Sequence, residues 1–291
     1  MNFISGHSPQ AFYLLHGGAG PMDPTSEGMR RATQSLIEIT QAALKKAAED
    51  PLETLVSCME GLEDEPLFNA GYGAALQADG KPRLTAALMH GERQSFSGVM
   101  SVTDVRHPSR LALALQEASS RVLTSPGTEQ LARKLHMPVE NLISARRLEF
   151  WQKQIHEALF DSDTVGVLSW NGVRQLLAGT STGGRGFEEP GRISDSATVA
   201  GTYASPFAAI SATGIGEEIV DDALAARIET RVRDGASLVD ACRRTYEEAI
   251  LAKRSYGWIA CDAKGNWCIA YTTLAMSYLV MDTRGEILAS S

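Results

Sequence analysis

Asp163-Thr164-Val165-Gly166 sets a threonine at the head of an alternating apolar run, with an acid before it and a glycine two residues on. Read plainly, such a threonine is a β-branched residue suited to a pleated strand. A second reading is chemical. If the bond before Thr164 were opened, one residue would carry both a hydroxyl and a free α-amino group. An α-amine titrates near ~8, so it can act as a general base at neutral pH, and a threonine paired with its own amine is an activated nucleophile. The opening itself would need only groups of the chain. The hydroxyl attacks the Asp163 carbonyl carbon, the nitrogen leaves as an amine, and water hydrolyses the resulting ester. Gly166 would let the backbone strain close to that bond.

The elements around this run are legible from periodicity. Thr164 to Trp170 alternates, meets a turn at Asn171-Gly172 and resumes from Val173 to Gly179, a hairpin pattern. A second hairpin is expected from Trp258 to Asp262, a Lys264-Gly265-Asn266 turn, and Trp267 to Thr272. Two helical patterns lie between them, Glu217 to Arg233 and Ser237 to Leu251, the latter opening with a capping-box variant. In the first half, Ala11 to Leu15 reads as a buried strand feeding a glycine-rich turn at His16-Gly17-Gly18-Ala19-Gly20. Apolar spacing predicts a helix from Ser26 to about Ala48, and Asp50-Pro51-Leu52-Glu53 opens another. Strands are expected around Asp79-Gly80 and on to Val102, then a helix from His107 to Val122. Residues 125–163 are polar, with a middle that can be helical and no sheet pattern; they give the only hint of a boundary. Strands, helices, then strands favour an α+β architecture over strict βαβ alternation.

Composition narrows the function classes. The chain has 291 residues, 44% hydrophobic and 21% charged, enough for a sizeable core. A net charge of −8 argues against nucleic acid, because phosphate binding needs a basic footprint. No run approaches a membrane span, and the first twenty residues lack a secretory pattern. Cys58, Cys242, Cys261 and Cys268 form neither a CxxC pair nor a Cys/His cluster and read as apolar fillers. The expectation is a protein of the reducing cytoplasm, with no membrane or nucleic-acid partner.

Five short motifs follow one another: His16-Gly17-Gly18-Ala19-Gly20, Pro66-Leu67-Phe68-Asn69-Ala70-Gly71, Thr180-Ser181-Thr182-Gly183-Gly184, Pro190-Gly191-Arg192-Ile193-Ser194-Asp195-Ser196 and Ala212-Thr213-Gly214-Ile215-Gly216-Glu217. Together with Asp163-Thr164, in this order and spacing, they resemble the plant-type L-asparaginase/isoaspartyl peptidase family of N-terminal-nucleophile hydrolases. The resemblance implies a four-layered αββα sandwich made as one precursor. It would be cleaved between Asp163 and Thr164 into an α subunit (1–163) and a β subunit (164–291) that remain one folded unit, with a homodimer of such units. It implies Thr164 as nucleophile, Thr182 as its supporting threonine, and Thr213 with the Gly214 amide as oxyanion donors. Arg192 and Asp195 would grip the α-carboxylate and α-ammonium of an aspartyl moiety, Gly216 would offer a backbone contact, and Asn69 would be an active-site asparagine. Carbonyls of Leu62, Glu63, Glu65, Phe68, Ala70 and Tyr72 would bind a structural sodium ion, and no organic cofactor is implied. The substrates would be L-asparagine and β-aspartyl dipeptides. The Ser211–Glu217 stretch favours this over a glycosylasparaginase.

The chemistry of these roles is coherent. An arginine fork suits a carboxylate, a carboxylate suits an ammonium, and hydroxyl and amide donors suit a tetrahedral oxyanion. Each motif also has a plainer reading. Arg192 and Asp195 can be a surface ion pair worth under ~1 kcal/mol, Thr180 to Gly184 an ordinary loop, and His16 a hydrogen-bonded structural histidine. His90, His107, His136 and His156 have no ligand spacing. The chain departs from the family where LDASIMDG becomes Leu84-Thr85-Ala86-Ala87-Leu88-Met89-His90-Gly91. It departs again at Thr272-Thr273 and Ala275-Met276, where the family carries Asn-Thr and Gly-Met. These changes leave a non-maturing relative open. A phosphate-binding protein using the glycine stretches at 16–20 and 179–186 is a further alternative, although neither fits a GxxxxGK[ST] or GxGxxG frame.

Overall fold

The computed structural model describes residues 2–21, 23–47, 49–155 and 164–291. The first half contains β1 (Phe3–His7), β2 (Phe12–Gly20), α1 (Glu27–Ala47), α2 (Pro51–Asp64), a 3-10 turn (Gly71–Gly73), β3 (Leu84–His90), β4 (Ser95–Val102), α3 (Pro108–Ala114), β5 (Val122–Leu123), α4 (Gly127–Lys134) and α5 (Ala145–Gln154). The second half contains β6 (Val165–Trp170), β7 (Leu176–Thr182), β8 (Thr202–Ala204), β9 (Ala208–Gly214), α6 (Gly216–Asp221), α7 (Leu224–Arg233), α8 (Leu238–Leu251), β10 (Tyr256–Asp262), β11 (Asn266–Tyr271), β12 (Ala275–Asp282) and β13 (Ile287–Ser290). The protein is α+β, as expected.

Two sheets organise it. The larger runs β13-β12-β2-β6-β7-β3-β4-β5 and the smaller β1-β11-β10-β9-β8. All pairings are antiparallel except β4 with β5. Helices α1, α2 and α3 pack on the larger sheet, α7 and α8 on the smaller, and β2, β6 and β7 pack against β9 and β10.

The period of two along each strand sorts the side chains. On β6, Val165 and Val167 join the helix-side core, whereas Leu168 and Trp170 lie with Phe12, Leu14 and Ile259 between the sheets. The same parity puts Thr164, Gly166, Thr180 and Thr182 on the sheet-to-sheet side, and Ser181 on the helix side. On β9, Ile210 and Ala212 face α7 and α8, while Ala209 lies between the sheets; Ser211 and Thr213 share its parity. Burying each large aliphatic side chain is worth about 1.5–3 kcal/mol, so a one-residue slip that turned Thr164 outward would also expose a row of valines and leucines.

Local signals explain several element ends. Asp50 caps α2 through the Leu52 and Glu53 amides, and Ser237 caps α8 through the Asp240 amide. The β6–β7 turn is closed by Asn171, whose Oδ1 accepts from the amides of 173, 174 and 175, and Gly172 takes a φ of 82°. Four expectations are corrected. The 16–20 stretch is no turn; it continues β2 as a fully buried strand. The helix expected over 107–122 stops at Ala114, and Val122 pairs with Gly98 in a short strand. The helical pattern of 217–233 is two helices, broken at Ala223, which adopts a left-handed φ of 47°. Around Asp79-Gly80 there is only an isolated bridge between Leu76 and Pro82. The four cysteines are unpaired and buried, and among the described residues no helix is long and apolar enough to cross a membrane.

Candidate active site

Thr164 stands one residue before β6, 6% exposed. Its Oγ1 donates to Thr182 Oγ1 at 3.1 Å, and Thr182 Oγ1 also accepts the Gly184 amide at 3.1 Å. The β6–β7 register, Val165 opposite Ser181, is what brings residues 164 and 182 together. The Thr164 nitrogen donates to Thr213 Oγ1 at 3.3 Å, and the Ala19 amide donates to the same oxygen at 3.3 Å. With both acceptor positions of that hydroxyl engaged, its own proton is left to point at an incoming oxygen. Asp163 and His156 lie outside the described residues.

Beneath this group runs a buried polar chain that links the two sheets. His16 Nε2 meets Ser211 Oγ at 2.9 Å, Ser211 Oγ meets Thr180 Oγ1 at 2.8 Å, and Thr202 Oγ1 donates to the Ser196 carbonyl at 2.8 Å and meets Thr180 Oγ1 at 2.5 Å. Burial drives the His16 imidazole down to about 3, so it is neutral. It is the structural histidine expected. Gly166 is required here because a Cβ would overlap Ser211 Oγ and His16 Nε2.

A narrow cleft of about 420 Å³, counting its open mouth, is lined by Thr164, Thr182, Arg192, Asp195, Gly214 and Gly216 among others. The Arg192 fork is already used: Nε and Nη2 donate to the Glu217 carboxylate at 2.7 and 2.8 Å. The bidentate grip expected of Arg192 on a ligand is therefore occupied by Glu217, and its remaining Nη1 edge is the part left for one. Asp195 is 4% exposed, and Ser194 Oγ donates to its Oδ1 at 2.8 Å, while Oδ2 has no hydrogen-bond partner among the described residues. Burial pushes its carboxyl up to about 6, against the pull of Ser194 and the nearby Arg192. Arg192 and Asp195 form no ion pair with each other among the described residues, so the plain ion-pair reading does not hold.

Asn69 is fully buried, and both ends of its amide are engaged. Its Oδ1 accepts the Ala75 amide at 2.7 Å and its Nδ2 donates to the Gly184 carbonyl at 2.6 Å. It therefore holds the backbone beside Thr182 and is absent from the cleft wall. In the loop after α2, the Glu65 carbonyl accepts the Phe68 amide at 3.1 Å and the Ala70 carbonyl accepts the Gly73 amide at 2.9 Å. The Glu63 and Phe68 carbonyl oxygens lie against Gly71 and Gly73, where an added Cβ would overlap them. The Glu63 side chain is itself buried, accepting from Ser109 N at 3.1 Å, Ser109 Oγ at 2.7 Å and Ser181 Oγ at 2.7 Å.

Of the departures from the family pattern, Thr85 lies in the cleft, opposite Thr182 on β3, whereas His90 sits at the far end of that strand with Gln175. Thr272 is structural, bonded to the backbone of residues 254 and 256. Sequence reasoning missed Ser211, Thr202 and the Glu217 pairing. The alternation of Ala209, Ser211 and Thr213 was the available signal for the strand that carries two of these contacts.

Residues 9–288 match the family model described as Asparaginase. The isoaspartyl peptidase/L-asparaginase of Nostoc is 40% identical to this chain, covering 87% of it and 86% of the relative. The isoaspartyl peptidase of Salmonella typhimurium is 33% identical over 92% of this chain and 94% of the relative. The plant-type L-asparaginase of Pyrococcus horikoshii is 31% identical over 92% and 95%. With nearly its whole length matched in this way, the chain belongs to the asparaginase family of which these isoaspartyl peptidases and plant-type L-asparaginases are members.

Proposed function

We propose that the protein is a threonine amidohydrolase that opens its own backbone before Thr164 and then cleaves β-aspartyl dipeptides and the side-chain amide of L-asparagine. One observation carries the reading: the Thr164 hydroxyl rests on the Thr182 hydroxyl, with its nitrogen on Thr213, at the wall of a cleft that also holds Arg192 and the buried carboxyl of Asp195. The Asp195 carboxylate receives the substrate ammonium, and Arg192 receives the α-carboxylate through its free edge. The Thr164 hydroxyl attacks the side-chain carbonyl while its own amine takes the proton. Thr213 and the Gly214 amide hold the oxyanion, and Gly216 bounds the pocket through its backbone. The amine returns the proton to the leaving nitrogen, and water hydrolyses the β-aspartyl ester. The names of the relatives support this substrate class.

In the same reading, residues 1–163 and 164–291 are the two subunits of one αββα sandwich of the N-terminal-nucleophile type. Helices on the outer faces of two apposed sheets support that layering. The carbonyls of the 62–72 loop are read as a sodium site, because a hard cation takes hard oxygens. The family resemblance carries a homodimer of such units, and unpaired buried cysteines suit a reducing compartment.

Mass spectrometry with turnover assays tests the function. We expect two fragments, the smaller beginning at Thr164, and hydrolysis of L-Asn and β-Asp-Leu, with Thr164→Ala leaving the 31.3 kDa chain whole. An intact, inactive wild-type chain after long incubation overturns the reading, and a Thr164→Ala variant that still cuts itself removes Thr164 as nucleophile.

A further inference from the structure

The turn that presents Arg192 has little packing of its own. Glu189, Pro190 and Gly191 are exposed, and a Cβ on Gly191 would meet nothing within 4 Å. What anchors this turn lies on the segment before β3. Gln77 is 1% exposed, and its side-chain amide reads the turn's backbone at two points. Its Oε1 accepts the Gly191 amide at 2.8 Å, and its Nε2 donates to the Arg192 carbonyl at 3.4 Å. Every other polar atom of Gln77 is also used. Oε1 accepts Arg83 Nη1 at 2.7 Å, and Nε2 reaches Glu188 Oε1 at 3.4 Å. Its backbone nitrogen donates to the Lys81 carbonyl at 3.0 Å, and its carbonyl accepts the Trp151 indole at 2.9 Å. Arg83 is fixed in turn by a two-point contact with Asp79 at 2.9 and 2.8 Å. On the other side of the turn, Glu217 holds the Arg192 fork.

We propose that Gln77 is a positioning residue for substrate binding: its amide, oriented by Arg83 and Asp79, fixes the turn that presents the Arg192 guanidinium to the cleft. This rests on the role given to Arg192 above. A buried amide with four partners has one orientation, so the backbone it reads is held in one place. Without it, the turn samples positions from which Arg192 cannot meet a substrate carboxylate, and apparent affinity falls by the fraction of time it is misplaced. The chemical step and the self-cleavage at Thr164 do not use that clamp. They supply the internal control.

The test is the steady-state kinetics of the full, self-cleaved chain on L-Asn and β-Asp-Leu, beside the extent of self-cleavage. Gln77→Leu should raise KM by about tenfold, the scale of one lost hydrogen bond, with kcat within about threefold and self-cleavage complete. Gln77→Glu keeps the acceptor for Gly191 and Arg83 and loses the donor, so its KM should rise less. A Gln77→Leu protein with wild-type KM overturns the inference, as does one whose kcat and self-cleavage fall as far as its KM rises. If that variant fails to fold, Gln77→Glu decides, an unchanged KM or loss of fold there counting against it. A wild-type protein inactive on both substrates points instead to failure of the assigned function.

Discussion

Asp195→Asn isolates one charge in the cleft without changing its shape. The carboxyl is pushed up to about 6 by burial, so in the free protein about one molecule in ten is ionised there at pH 5. A substrate ammonium needs the ionised form. The Thr164 amine contributes one proton to the acid side of the pH profile of kcat/KM, because the base must be neutral. Asp195 should contribute a second below about 6, so the profile steepens from one proton per pH unit toward two. In Asp195→Asn that steepening should vanish. KM above pH 7 should also rise by about 10²–10⁴, the equivalent of the 3–5 kcal/mol lost when one partner of a buried pair is removed. Stability moves the other way. The folded value lies above the unfolded one near 3.8, so the ligand-free fold loses about 2 kcal/mol from this group as pH rises from 4 to 6. That loss should be absent in Asp195→Asn. Kinetics from pH 4.5 to 9 with thermal melts at pH 4 and 7 read both effects. A variant that keeps the second-proton limb, or binds substrate as tightly as wild type, refutes the role given to Asp195.

Two further outcomes follow from the hydroxyl cluster. Thr213→Val keeps the shape of a fully buried side chain but strands the Thr164 and Ala19 nitrogens. It should slow self-cleavage, visible as persistent full-length chain on a gel, and lower kcat by about 10²–10³; near-normal kcat would remove Thr213 from the oxyanion site. Gly166→Ala forces a methyl onto Ser211 Oγ and His16 Nε2 and should cost about 1–3 kcal/mol of stability, the range for overpacking a tight core, measured by denaturant unfolding.

The facing of Thr164 and Thr182 is local, since an Asn-Gly turn and alternation fix which residues oppose each other across a hairpin, whereas the roles proposed for them were legible only from the series of motifs. Thr213 was marked by its motif, yet the strand carrying it was hidden, since Ala208, Ala209 and Ala212 give weak β preference and owe their place to the close approach of two sheets. Long-range pairings gave no signal. Glu217 stands on a short helix that the pattern merged with the next one, because a non-glycine residue in the left-handed region, as at Ala223, has no signature in a helical pattern. Gln77 looked like one polar residue in a turn. Its weight comes from a loop more than a hundred residues away.

Strand order has a consequence for how such a molecule comes to exist. β2 is flanked by β12 and β6, β3 lies against β7, and β1 edges β11. Each seam joins a strand from before Thr164 to one from after it. In the uncut polymer these partners meet at the high local concentration of a single chain; as two pieces they would have to find an interleaved order by collision, across many non-local pairings. Continuity of the backbone is thus needed to weave the sheets and is dispensable once they are woven. The proposed cut makes assembly a one-way event, and a denatured sample of the opened protein should not reweave itself on dilution.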